Sequence, residues 1–342
     1  MPTHHHSGGT SFPALTWPHF DDHRPDDHAP TDHTSTGQTR IETTASRTSS
    51  SQKHPWAIPA LLQVLAMIGI GAILYSNAAD WFATRHHGSE ISGYVDSVEQ
   101  LPSAERIAEA QRAREYNAHL PQGVLRDPYL NPPDAEEEDA AYAAYQQILQ
   151  ISDNGVIGEL RYPRLGIGLP IYHGTSDDVL ARGVGHLYGS SLPVGGPSTH
   201  SVLTSHSGLV HASLFSPLPR AAVGDTFRIE VLGDEHYYRV ESVETVLPEA
   251  TESLQIIAGE EHVTLVTCTP IGVNTHRLLV HGIRIALPDD VGLGSRPLTS
   301  HENGAGFPWW LLWFGFGSGA VAFILFSPPR ARSNYSPREA YS

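Results

Sequence analysis

One cysteine, Cys268, stands in the run Thr264-Leu265-Val266-Thr267-Cys268-Thr269-Pro270, and Arg277 follows nine residues later. A thiol attacks as its thiolate, so a working cysteine needs a cationic or basic neighbour near neutral pH. Arginine offers a permanent charge in a planar fork of donors, and histidine offers an acid or base that titrates in the physiological range. The residues before Cys268 read as a β-branched, apolar strand. Proline has no N–H with which to continue a ladder, so the thiol is expected at a strand end, facing a cleft. The turn Ile271-Gly272-Val273-Asn274-Thr275 carries the Gly and Asn that reversals prefer, and it would bring Arg277 back into the same cleft. A lone cysteine without such neighbours is more often a small buried hydrophobe.

The histidine that would complete this chemistry is not set by spacing alone. The β-rich region offers His173, His186, His200, His206, His211, His236, His262, His276 and His281. His206 is the best placed, because Ser201–Ser205 reads as a strand and Ser207-Gly208 breaks it directly afterwards, where loops tend to present working side chains. His276 adjoins Arg277, and neighbours on a strand point to opposite faces, so if Arg277 faces the cleft His276 does not.

Composition narrows the class. A formal net charge of -16 argues against nucleic-acid binding, which needs a basic face. One cysteine permits neither an internal disulfide nor a cysteine-rich metal site. Of the 21 basic residues only Lys53 is lysine. His4-His5-His6 and the acidic residues after it read as part of a solvated tail rather than a metal site.

Two uncharged segments are too long and apolar for a soluble core helix. Residues 55–79 are flanked by Trp56 and Trp81, and residues 307–326 open with Trp309, Trp310 and Trp313. Each reaches the roughly 20 residues that cross a bilayer as a helix. The first begins too far into the chain to suit a cleaved signal peptide. Arg40, Arg47 and Lys53 precede the first span, while Arg330, Arg332 and Arg338 follow the second, which predicts a cell-membrane protein with both termini cytoplasmic and the intervening chain outside.

The remaining chain divides accordingly. Residues 1–54 are expected to be a disordered cytoplasmic tail. Residues 80–152 form a helical segment, with helices near 91–120 and 135–149, an imperfect capping box at Ser103-Ala104-Glu105-Arg106, and a proline-broken loop at 125–133. From Val156 onward short strands alternate with Gly and Pro: 156–162, 168–172, 201–205, 226–232, 236–246, 262–267 and 276–286. Such a series predicts a mainly β, mostly antiparallel barrel or sandwich over 153–290. Residues 291–306 read as a linker and 327–342 as a basic cytoplasmic tail.

The Cys268 and Arg277 segments, together with Leu169-Pro170-Ile171-Tyr172-His173-Gly174-Thr175-Ser176, Gly183-Val184-Gly185-His186-Leu187 and Val202-Leu203-Thr204-Ser205-His206-Ser207-Gly208-Leu209, resemble the sortases, the cysteine transpeptidases of Gram-positive cell surfaces. The resemblance covers about residues 90–287. It implies an eight-stranded sortase β-barrel and the catalytic set Cys268, His206 and Arg277; with the elements read above, the fold is mainly β, a barrel with N-terminal helices and two flanking transmembrane helices. The two spans and the segment Asp127-Pro128-Tyr129 resemble class C, the pilus-assembly sortases, in which an Asp-Pro-aromatic lid covers the site; Asp127 would then approach Arg277 and Tyr129 would cover Cys268. One departure is Ser207, where these enzymes commonly carry Arg.

By that likeness the substrates are pilin or surface proteins bearing an LPxTG-like sorting signal, cleaved between Thr and Gly through a thioacyl enzyme and passed to a pilin lysine. No metal or organic cofactor is implied, and no feature sets an oligomeric state. The alternatives are a class A-like housekeeping sortase that anchors single proteins to the wall, and a secreted cysteine hydrolase that resolves the same intermediate with water.

Overall fold

The computed structural model describes residues 56–120, 129, 140–286 and 305–327. Helix α1 runs unbroken over Ala57–Gln100. The sequence reading separated a span at 55–79 from a helix near 91–120, whereas α1 joins the span to the first part of that helix. The break falls at Leu101, which is extended (φ -70°, ψ 128°) as the residue before a proline tends to be. Pro102 then occupies the N-cap of α2 (Ser103–Ala118) and no side chain caps it, so the expected capping box at Ser103 does not form. Helix α3 (Ala140–Gln146) lies within the expected 135–149 segment.

Eight strands follow: β1 (Val156–Tyr162), β2 (Ile167–His173), β3 (Val184–His186), β4 (Thr199–Thr204), β5 (Thr226–Val231), β6 (Asp234–Val246), β7 (Glu261–Thr269) and β8 (His276–Ile285). They close into a barrel in the order β1-β2-β3-β4-β7-β8-β6-β5. Pairing is antiparallel except β2 with β3 and β4 with β7, which run parallel. A parallel neighbour needs a crossover connection. The β2–β3 crossover carries α4 (Asp177–Arg182), capped by Ser176, whose Oγ accepts from Val179 N–H. Strand β3 was absent from the expected strands, because three residues give too short a stretch for alternation to show.

The barrel interior is filled by alternate residues from every wall. Val263 and Leu265 of β7, Leu203 of β4, and Leu278 and Val280 of β8 all point inward with Phe227, Ile229 and Tyr238. Tyr162, Phe227 and Tyr238 stack with centroids 5.7 and 5.5 Å apart. Gly282 of β8 passes so close to the Phe227 ring that a Cβ there would lie 2.6 Å from Cζ, which accounts for the glycine. A smaller second cluster (Leu187, Val202, Leu254, Val266 and Leu279) lies on the outer side of the β4–β7–β8 wall.

The lower half of α1 is docked on the barrel. His87, Ile91, Tyr94, Val95 and Val98 are buried there. The Tyr94 hydroxyl donates to Ile157 O at 3.1 Å and accepts from Leu232 N–H at 2.8 Å. The upper half, residues 57 to about 79, is exposed and apolar and packs against α5 (Trp309–Phe326), with Gln63 Nε2 donating to Ser318 O at 3.0 Å. Both helices are long and apolar enough to cross a membrane.

Tyr94 thus joins α1 to two separate strand ends. Tyr94→Phe leaves the Leu232 N–H buried without its acceptor, and is expected to cost about 1–3 kcal/mol of stability, read as a lowered denaturation midpoint at unchanged urea slope.

Candidate active site

Cys268 is the last-but-one residue of β7, and its strand partner across the antiparallel β7–β8 pair is Arg277. Residues directly opposite in such a pair present their side chains on the same face. The alternation of β7 puts Val263, Leu265 and Thr267 inside the barrel, so His262, Thr264, Val266 and Cys268 face outward. The thiol therefore sits on the outer face of the barrel wall, above the second apolar cluster. It is 9% exposed and Arg277 6%.

The third group arrives from the other edge. Strand β4 runs parallel to β7 with Thr204 beside Val266, and His206 lies two residues beyond that pair, alongside Cys268. Side-chain bonds lock this extension: Ser205 O accepts from Thr267 Oγ1 at 2.8 Å, and Ser207 Oγ donates to Cys268 O at 2.9 Å. Ser207, the departure from the sortase pattern, thus ties the histidine segment to the backbone of the cysteine. Arg277 is steadied by its own turn, Nη1 donating to Asn274 O at 3.1 Å and His276 O at 3.2 Å. Asn274 takes φ 60°, a left-handed value that asparagine tolerates.

Six of the other histidines are engaged elsewhere. His186 is fully buried between the Tyr145 hydroxyl and Ser191 O, and burial pulls its pKa down to about 4. His173 is lowered to about 3 by the same cause, its ring set edge-on to Tyr145. His200 and His281 share the Thr264 hydroxyl, and His262 lies between Glu241 and Glu260. His276 contacts the Thr275 hydroxyl.

Tyr129 closes the arrangement. Its hydroxyl donates to Ser205 O and accepts from Thr204 Oγ1, both at 2.7 Å. Its ring lies 4.9 Å from the Arg277 guanidinium carbon and 5.9 Å from the His206 ring. It also packs on the outer apolar cluster. Burial raises the tyrosine pKa strongly, with the neighbouring Cys268 adding to the rise, so the phenol stays neutral. Asp127 and Pro128, the other two residues of the expected lid, lie outside the described residues.

Burial lowers the His206 pKa, and Asp177 opposes that shift from 3.9 Å. Asp177 opens α4 on the β2–β3 crossover, and sequence reasoning missed it. Nothing in a position 29 residues upstream of the histidine signals the approach, which only the crossover creates.

A largely buried thiol beside a histidine and opposite an arginine can form an acyl thioester. The arginine is placed to attract developing negative charge, and the histidine to move a proton. The described residues hold no group of His, Cys, Asp and Glu suited to a metal ion.

Comparison with known proteins agrees with this geometry. The sortase domain family matches residues 160–285. Sortase C-1 from Actinomyces oris superposes with a TM-score of 0.51 at 43% identity, covering 54% of this chain and 99% of that one. This chain belongs to the sortase family. Sortase C1 from Streptococcus agalactiae gives a TM-score of 0.53 at 40% identity over 59% of this chain and 97% of that one. Sortase A from Corynebacterium diphtheriae gives 0.54 at 37% identity over 60% and 96%. By sequence, the chain is 32% identical over 129 residues to sortase A of Streptococcus agalactiae, 37% of this chain and 51% of that protein. It spans about half the length of that curated relative and 63% of sortase D of Bacillus subtilis. The closed eight-stranded barrel expected from the sequence is the sortase fold.

Two outcomes follow for the site. Tyr129→Ala should raise the rate of Cys268 alkylation by iodoacetamide about tenfold, whereas an unchanged rate would show that the tyrosine does not shield the thiol. Asp177→Asn removes the one influence among the described residues that opposes burial, so the His206 titration followed by NMR should move further down. The shift should shrink in high salt, because Asp177 is fully exposed.

Proposed function

We propose that this chain is a membrane-anchored cysteine transpeptidase of the class C type, acting on an LPxTG-like sorting signal and joining it to a pilin lysine. The register that sets Cys268 opposite Arg277, with His206 carried alongside by the parallel β4 strand, is the observation behind this reading. Cys268 attacks the Thr carbonyl carbon as thiolate. Negative charge gathers on the carbonyl oxygen, and the fixed donors of Arg277 stabilise it. The C–N bond to Gly breaks as the imidazolium of His206 gives its proton to the departing amine. Neutral His206 then takes a proton from the incoming lysine amine, the C–S bond breaks, and an isopeptide bond leaves the thiolate restored.

Tyr129 favours the class C reading over the housekeeping one. A tyrosine that bonds Ser205 O and lies against both Arg277 and His206 occupies the place a sorting signal would need, as a lid does. The structural neighbours named sortase C support the same choice. Asp127 and Pro128 complete the proposed lid. Helices α1 and α5 serve as the two spans, with the barrel outside and both termini in the cytoplasm.

Co-expression with a pilin tests this directly. Wild type should give a ladder of covalent polymers and Cys268→Ala none; ladders from the variant would remove the thiol from the reaction. A single product on the cell wall, without a ladder, would instead assign the anchoring role. With a sorting peptide alone, a product carrying an added amine marks transfer, and a free acid in its place marks a hydrolase.

A further inference from the structure

Two residues of α1 hold the loop that follows His206. Ser76 Oγ donates to Val210 O at 2.9 Å, and Asp80 Oδ1 accepts from Ser213 N–H at 2.7 Å. Ser76 lies inside the uncharged stretch of α1. Trp81 lies five residues further along, donating from Nε1 to Gly306 O at 3.1 Å, its ring 6.3 Å from that of Trp310. Trp309 and Trp313 are exposed nearby. Tryptophans gathered at the end of an apolar helix mark the interface between bilayer and water. With a rise of 1.5 Å per residue, Ser76 is about 7.5 Å to the apolar side of Trp81. The backbone of Val210 is bonded at that depth.

The neighbouring turn shares the level. Gly208 is packed against Ile271, so closely that a Cβ there would collide with its side chain. Val210, Ile271 and Val273 are 62%, 50% and 64% exposed. They stand on the two loops that leave His206 and Cys268. Residues 206–219 and 269–276 contain no Asp, Glu, Lys or Arg. The angle of the barrel to the helix is held as well, because α1 has no break before Leu101 and is buried on the barrel through Val98. The opposite end of the barrel differs. There the β5–β6 turn, with Gly233 close to Val98, carries exposed Asp234 and Glu235.

We propose that the rim formed by Val210, Ile271 and Val273 docks on the lipid surface of the membrane that α1 crosses, seating the catalytic cleft at headgroup level. The occupant is the boundary between headgroups and acyl chains. Aliphatic, uncharged loops fit that boundary, whereas a polybasic surface would be needed for purely electrostatic docking. This inference rests on the reading of α1 and α5 as membrane spans.

The test uses the full chain carrying Cys268→Ala, with a single cysteine introduced by Val273→Cys, Val210→Cys or Asp234→Cys. Each is labelled with an NBD fluorophore and reconstituted in phosphatidylcholine–phosphatidylglycerol vesicles. Labels at 273 and 210 should be quenched several-fold more by doxyl lipids than the label at 234, and protected from aqueous iodide. Iodide quenching at 273 and 210 equal to that at 234 would overturn the proposal. Alkaline carbonate extraction separates the two ways of failing. A chain that stays in the membrane with a wet rim contradicts the docking alone, and a chain that is extracted contradicts the spanning reading as well.

Discussion

Strand β7 is hydrogen-bonded along one edge to β4 and along the other to β8, and the placement of Cys268, His206 and Arg277 depends on the register of those two ladders. A slip of one residue would turn Cys268 into the barrel interior and bring Val263 and Leu265 out of it. The inward residues of β7 are packed among Leu203, Leu278 and Val280, so such a slip would expose a core face of several aliphatic side chains. The barrel core therefore sets the placement of the thiol opposite Arg277 and beside His206. Polar bonds refine that placement, with Thr267 to Ser205 and Ser207 to Cys268 stitching the two strand ends where the ladder stops.

Tyr129 engages this constellation without covalent attachment to it. A guanidinium against an aromatic face contributes about 0.5–2 kcal/mol, and each neutral hydrogen bond about 1 kcal/mol net. Contacts of that size are weak enough for a competing ligand to displace the Tyr129 ring. Under the proposed function, a sorting signal has to displace the ring from the apolar floor before it can reach Cys268. Binding and lid opening are then thermodynamically one event, and any substrate feature that binds the open site strengthens both.

Much of this was legible in the chain, and the reasons for the remainder are physical. Cys268 and Arg277 could be paired because a turn signal separates two β-rich runs, and a hairpin is a local object. His206 could be ranked first because it follows a strand and precedes a glycine. Its position beside Cys268, however, comes from a parallel pairing that spans the whole β5–β6 excursion. Asp177 was invisible for the same reason, since a crossover brings it to the ring. The continuity of α1 through residue 100 was missed because the composition changes from apolar to polar near Asp80, although a change of solvent does not end a helix. Pro102 does end it, by denying the preceding residue a helical conformation.

That continuity gives the apolar half of α1 and the barrel one rigid connection. The proposed function turns on one group: Sγ of Cys268, opposite Arg277, would carry the acyl group. Intact-mass spectrometry after brief incubation with a sorting peptide, without an amine acceptor, tests it most directly. The account predicts a covalent adduct equal in mass to the N-terminal fragment of the peptide, less one water, on the intact wild-type chain. An adduct that persists in Cys268→Ala would contradict it, as would cleavage of the peptide by that variant.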